Sequence, residues 1–210
     1  MNQDLIEHLH NLPVPPVIDV LGKWIHCPNA RVATTSIDSG VLKDRGILKR
    51  RGRVNWELVW KNIILPNIDD VLMFTFVRNS WDRVCSAFYQ CRDRARTKEN
   101  RIDKKWEFKE YVKKVLAVKW PNVNYHFAPQ YDTVYFKGEL IPNMFVGHYD
   151  HLKTDWGMIA TRLQVSASLP YWNHAKRDGT YMDHYDEESK EIIAELYAPE
   201  IKALGYEFGK

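Results

Sequence analysis

Arg78 closes an almost wholly apolar run, Leu72-Met73-Phe74-Thr75-Phe76-Val77. It is followed by Asn79-Ser80-Trp81-Asp82-Arg83-Val84-Cys85-Ser86-Ala87-Phe88-Tyr89. Those residue types in that order predict a buried strand that delivers a guanidinium to its end, a sharp turn, and a helix that presents Ser86 about two turns in. A fixed fork of donors beside a helix N-terminus suits a phosphate or sulfate, because the cation and the positive end of the helix dipole act together. A second unit of the same kind lies upstream at Ile25-His26-Cys27-Pro28-Asn29-Ala30-Arg31-Val32-Ala33-Thr34-Thr35-Ser36. Its loop combines a cation, small and hydroxyl-bearing residues and a helix start, the parts of a phosphate cradle. Taken alone, a capped helix after a strand explains that loop equally well. The pattern G-x-x-x-x-G-K-[ST] is absent, so this is not the P-loop of the nucleotide hydrolases.

The elements that must hold these groups follow from spacing. Residues 23–27 form a short apolar run between Gly22 and Pro28-Asn29 and predict a strand; Thr34, Thr35 and Ser36 cap a helix expected to run through Val41 to about Arg45. Trp56, Val59, Trp60, Ile63 and Ile64 repeat at helical spacing and Pro66 ends them, while 71–77 reads as a central strand. After Ser80 the apolar positions Val84, Phe88, Cys91 and Ala95 mark one helical face, and further helices are expected at 103–118, 150–163 and from Asp186 onward. The last is opened by Asp186-Glu187-Glu188 and carries Ile192, Ile193, Leu196 and Tyr197 on one face. Residues 133–136 and 143–146 read as strands, with Lys137-Gly138 as a turn between them. Strands separated by helices predict an α/β fold with a central parallel sheet flanked by helices. With 210 residues, 45% of them hydrophobic, and eight tryptophans, the expectation is one domain. Its core is expected over about 23–208, after an N-terminal extension at 1–22 in which a short helix meets Pro13, Pro15 and Pro16.

The net charge is +3 and the isoelectric point about 8.6, below the range usual for nucleic-acid binders, which argues against nucleic acid as the partner. Three cysteines, Cys27, Cys85 and Cys91, form no C-x-x-C pair, which argues against a disulfide framework or a zinc site and for reduced thiols in a cytoplasm. The first twenty residues carry Asp4, Glu7 and two histidines, so neither a signal peptide nor a membrane anchor is expected. His148, Asp150 and His151 lack an H-E-x-x-H pattern or spaced cysteines, and no metal is expected there. Basic runs at 43–53 and 92–105 read either as solvated helix ends or as a rim that steers an anionic substrate. The tryptophans fall mostly at core spacing, with Trp81 and Trp172 as candidates to stack on a base or sugar.

The two strand-loop-helix units together resemble the nucleotide-binding motifs of the carbohydrate sulfotransferases, the group known as sulfotransferase family 2. In that family P-K-x-[AG]-x-T-S holds the 5′-phosphosulfate of PAPS (3′-phosphoadenosine 5′-phosphosulfate), and F-x-R-[ND]-P-x-x-R-x-x-S-x-Y holds its 3′-phosphate. Phe76, Arg78, Asn79, Arg83 and Ser86 match the second motif, with Ser80 where the family usually has proline, and Arg31 stands where the first has lysine. His126-Phe127-Ala128-Pro129-Gln130 is similar to H-[WF]-x-P-Q, and Val146-Gly147-His148-Tyr149-Asp150-His151-Leu152 to G-x-[FY]-E-x-L. Leu169-Pro170, Asn173 and the closing Gly205-Tyr206 and Phe208 follow the same pattern.

The resemblance implies a P-loop-like sulfotransferase architecture and an enzyme that moves a sulfuryl group from PAPS to a hydroxyl or amine of a carbohydrate-like acceptor. Adenosine 3′,5′-bisphosphate is released and no metal is required. It implies nucleotide contacts from Arg31, Val32, Ala33, Thr34, Thr35 and Ser36 at the sulfate end, from Arg78 and Ser86 at the 3′-phosphate, and from Lys176. Arg31 would stabilise the transferring group, as cations do in phosphoryl transfer. Several members place a basic histidine between the two phosphate motifs, yet there is none from Cys27 to Tyr125. His126 is then the first candidate for the base, with His148 and Asp150 after it. The alternatives are a histidine at 126 that only pins the Pro129-Gln130 turn, a module that binds nucleotide without transfer, and a basic nucleic-acid-binding protein.

Overall fold

The computed structural model describes residues 3–19, 21–43, 48–49, 58, 60–64, 70–95, 97–122, 124–170 and 178–210. In chain order the strands are β1 (Val17–Ile18), β2 (Trp24–His26), β3 (Leu48–Lys49), β4 (Leu72–Val77), β5 (Tyr135–Phe136), β6 (Glu139–Leu140) and β7 (Met144–His148). The helices are α1 (Gln3–His10), α2 (Ser80–Arg94), α3 (Phe108–Tyr111), α4 (Ala117–Lys119), α5 (Tyr131–Val134), α6 (Leu152–Leu163), α7 (Glu187–Leu196) and α8 (Ala198–Leu204). The chain divides into two compact units, residues 1–77 with 132–172 and residues 78–131 with 173–210.

The first unit is built on a five-stranded sheet in the order β3-β1-β2-β4-β7. β2, β4 and β7 run parallel, with Trp24 beside Leu72 and Val77 beside His148, and β1 is antiparallel to both its neighbours. The expected parallel sheet is therefore parallel in its β2-β4-β7 part and mixed beyond it. All six residues of β4 are buried, as a run with no polar alternation requires. Alternation then sorts its side chains by face: Met73 packs with Leu5, Ile6 and Leu9 of α1, while Leu72, Phe74 and Phe76 pack with Trp156, Ile159 and Ala160 of α6.

The core does not wait for residue 23. Leu5, Ile6, Leu9 and Leu12 repeat at helical spacing and are buried against the sheet, and β1 is one of its strands, so the core of this unit includes residues from 5 onward. The strand expected at 133–136 is mostly helix α5, and only Tyr135–Phe136 pairs, antiparallel with β6. Lys137 and Gly138 form that turn with φ of 52° and 83°, the left-handed pair a two-residue hairpin needs. Of the helix expected at 55–64, residues 60–64 form one wide turn and most of the remainder lies outside the described residues.

The second unit packs Val84, Phe88 and Cys91 of α2 against Phe108, Tyr111 and Val112 and against Ile193 and Tyr197. The helix expected from 103 starts at Phe108, because the Asp103 side chain accepts from Lys105 N (3.0 Å) and its carbonyl from Trp106 N (3.1 Å), closing a turn of its own. Asp186 caps α7 through Ser189 N (2.9 Å), and Gly205 at φ 70° ends α8. Among the described residues no helix is long and apolar enough to cross a membrane. All three cysteines are buried and none is in a disulfide, and burial pushes the Cys27 thiol up to about 12.

Candidate active site

In the first unit the strands β2, β4 and β7 present their C-terminal ends on one edge, where ligands sit in open α/β sheets. β2 ends at His26, and Cys27 N donates to Phe74 O (2.9 Å) before the chain leaves the sheet. Arg31 and Ala33 both take left-handed backbone, with φ of 68° and 53°. Such conformations cost about 1–3 kcal/mol each outside glycine and persist only where the surroundings impose them. Asn29 anchors the start of this loop. Buried at 5% exposure, its Nδ2 lies 3.0 Å from Phe76 O, 3.1 Å from Thr75 Oγ1 and 2.9 Å from Thr133 Oγ1. Its main-chain oxygen accepts from the Thr34 hydroxyl (2.6 Å), and Thr75 in turn donates to Cys27 O (2.6 Å). Backbone that alternates into the left-handed region turns N–H groups into an anion-binding concavity.

Thr34 is half-buried and Thr35 exposed, while Val32 and Ser36 are buried. The expected helix is instead a wide π-type turn at Ser36–Val41, with Leu42 N bonded to Ile37 O (2.9 Å). The turn carries Asp38, whose Oδ1 lies 2.8 Å from His26 Nδ1; both side chains are buried, and the imidazole stacks on Phe74 at 4.7 Å. On β7, a Cβ at Gly147 would run into the Phe76 ring, so this position has room only for glycine. His148 follows it, half-buried, its main-chain N held by Asp155 Oδ2 at 2.7 Å. A cavity of about 640 Å³ in the same unit opens at the opposite edge, where Lys23 and Trp24 enter β2 and Leu72 enters β4, and none of the motif residues lines it.

In the second unit Arg78 is 7% exposed and held at three points. Gln130 grips its backbone from both sides, accepting from Arg78 N (2.8 Å) and donating to Arg78 O (2.9 Å), and Asp82 Oδ2 takes its Nε at 2.6 Å. Asn79 caps α2 by accepting from Trp81 N (3.1 Å) and donates to Glu207 O (2.8 Å) and Lys210 O (3.1 Å). Ser86 lies on α2 at 3% exposure. Arg83, the motif's other arginine, is 1% exposed and sits over the Tyr197 ring, with Glu200 Oε1 at 3.6 Å and His126 O at 3.3 Å. Burial keeps the Tyr185 and Tyr197 phenols protonated, and they donate to Trp81 O and Phe127 O. His126 is half-buried in the turn Tyr125–Phe127, and its carbonyl is the group that receives Arg83.

The expected residues thus fall into two sets, Arg31 to Ser36 with His148 in the first unit and Arg78, Ser86 and His126 in the second. Lys176 and Trp172 lie outside the described residues. Among the described residues no three of His, Cys, Asp or Glu gather in a way that could hold a metal. Sequence reasoning missed Asn29, Asp82, Gln130 as a clamp, and Glu200. Asp82 alone had a local signal, an acid four residues after Arg78.

A family model described as the sulfotransferase family matches residues 53–207. No curated protein and no solved structure matches the chain. The matched stretch takes in Arg78, Ser86, His126, Gln130, His148 and Glu200 and leaves out the loop at 31–36. It spans well over half of the 210 residues, and with the Arg78 turn built as described, the chain belongs to the sulfotransferase family.

Proposed function

We propose that this sulfotransferase uses PAPS as donor and a hydroxyl or amine of a carbohydrate-like molecule as acceptor, in the cytoplasm. The observation that carries the reading is the Arg78 turn, a buried guanidinium whose backbone is gripped on both sides by Gln130 and whose Nε is oriented by Asp82. A donor fork fixed at the start of a fifteen-residue helix is pre-organised for a dianionic phosphate. The loop at 31–36 is suited to an anion by itself, since Arg31 and Ala33 are held in left-handed backbone and Arg31 supplies a cation. When bound, PAPS supplies the sulfuryl group that the acceptor oxygen or nitrogen takes, leaving adenosine 3′,5′-bisphosphate.

The chain's own residues then have separate tasks. Arg78 and Ser86 hold the 3′-phosphate and so discriminate against nucleotides without one. Arg31 and the main chain of Val32 to Ser36 hold the sulfate end and offset charge that spreads over its oxygens. His126 or His148 takes the acceptor proton; His148 stands at the C-terminal end of β7, on the sheet edge where the loop also emerges. The basic segment 92–105 steers the anionic donor or an acidic glycan.

The test is a thermal-shift titration with adenosine 3′,5′-bisphosphate against adenosine 5′-monophosphate, followed by turnover with PAPS and a panel of glycans. At about 100 times its dissociation constant the bisphosphate should stabilise the protein by roughly 2.7 kcal/mol, and Arg78→Ala should abolish that gain. Equal shifts from both nucleotides would refute the 3′-phosphate assignment. Binding with no turnover on any hydroxyl or amine would leave a nucleotide-binding module.

A further inference from the structure

We propose that Glu200 and the Ser80 hydroxyl are positioning residues that hold Arg78 in place for the 3′-phosphate; the inference rests on the nucleotide reading above. The Glu200 side chain is 1% exposed, and its carboxylate meets Ser80, Gln130 and Arg83. Its Oε1 accepts from Ser80 Oγ (2.6 Å) and from Gln130 Nε2 (3.2 Å), and its Oε2 accepts from the Gln130 main-chain N. Gln130 is the residue that grips Arg78 N and O, so Glu200 orients the grip itself and at the same time ties down the second residue after Arg78. Arg83 supplies the balancing charge at 3.6 Å, which is what makes a buried carboxylate tolerable here.

The local backbone gives the Ser80 bond a specific meaning. Asn79 is the N-cap of α2, with φ −46° and ψ 125°, and Ser80 is the first helical residue. Proline is preferred at that helical position, and the residue before a proline is pushed to the ψ that Asn79 already has. The sulfotransferase motif usually has proline here. This chain holds a backbone a proline would accept with serine instead, and the Ser80–Glu200 bond supplies the restraint that a proline ring would supply covalently. Without either restraint the turn samples other conformations, and binding that needs one of them weakens in proportion.

The experiment measures dissociation constants for adenosine 3′,5′-bisphosphate and adenosine 5′-monophosphate by calorimetry on wild type, Ser80→Ala, Ser80→Pro and Glu200→Gln. Ser80→Ala should cut the preference for the bisphosphate about tenfold, equivalent to ~1.4 kcal/mol, and Ser80→Pro should restore most of it. In the Glu200→Gln background, Ser80→Ala should cost much less than it does alone. The ratio of the two nucleotides is the readout, because a general loss of stability moves both alike. A wild-type preference that survives Ser80→Ala overturns the positioning role, as does a Ser80→Pro variant no better than Ser80→Ala; should Glu200→Gln not fold, those two variants decide. A wild type with no preference overturns the nucleotide reading and this inference with it.

Discussion

Replacing Asn29 by alanine tests whether one buried amide sets the loop that carries Arg31. Its two N–H hydrogens serve three acceptors, Phe76 O, Thr75 Oγ1 and Thr133 Oγ1, all within 3.1 Å. Two bonds are therefore made at a time, each with a net worth of about 0.5–1.5 kcal/mol, and truncation adds about 1–3 kcal/mol wherever a buried acceptor stays unsatisfied. The threonine hydroxyls can rotate to new partners, whereas the carbonyl of Phe76 cannot. The gross loss is then about 2–6 kcal/mol. Against it stands the left-handed backbone at Arg31 and Ala33, which relaxes once Asn29 no longer holds it and returns up to a few kcal/mol. The expected net destabilisation is about 2 kcal/mol, read as a lower urea midpoint with an unchanged slope. Asn29→Asp keeps an acceptor for the Thr133 hydroxyl but sets a carboxylate against Phe76 O, so it should be at least as damaging. A loss below about 0.5 kcal/mol for Asn29→Ala would show that the Asn29 bonds contribute little and that the reasoning is wrong.

Two further outcomes can be checked on the unmodified protein or a single variant. All three cysteines are buried, and the Cys27 thiol is pushed up to about 12, so a thiol reagent at pH 8 should find none reactive until denaturant is added and then three; rapid modification of the native protein would contradict the packing. Asp186 is held well below the ordinary carboxylate range by the Lys113 ammonium and by Ser189, and it caps α7. A depressed carboxylate stabilises the fold at pH above about 4 and loses that contribution as pH falls below it. Asp186→Ala should therefore cost about 1 kcal/mol at pH 7, and its gap from wild type should close as the solution is acidified. A gap that stays constant down to pH 2 would rule out the charge as the cause.

What was legible in the sequence was what is local. β4 declared itself by lacking polar alternation, α2 by its 4-3-4 apolar spacing, and Arg78 by standing between the two. Lys137-Gly138 showed as a turn because only certain residues accept φ above zero. What stayed hidden depends on partners far along the chain. Gln130 meets Arg78 across 52 residues and Glu200 meets Ser80 across 120, and no periodicity encodes either meeting. Asn29 looked like a turn residue after Pro28, and only β4 and Thr133 beside it make it the anchor of the loop. The prolines at 13, 15 and 16 argued for an N-terminal extension ahead of the core, and the apolar stripe of α1, which tertiary burial turns into core, outweighed them.

The bond between Ser80 and Glu200 also bears on the order in which the protein becomes competent as it is made. A ribosome delivers β4 and the start of α2 more than a hundred residues before α8. Gln130 emerges partway through that interval, but the Glu200 carboxylate that orients it does not, and closing so long a loop carries an entropic cost that only the completed core repays. The sheet of the first unit has no such dependence on residues 200–210, because β2, β4 and β7 are all synthesised by residue 148. Emerging chains are therefore expected to acquire a paired sheet first and a fixed Arg78 turn last.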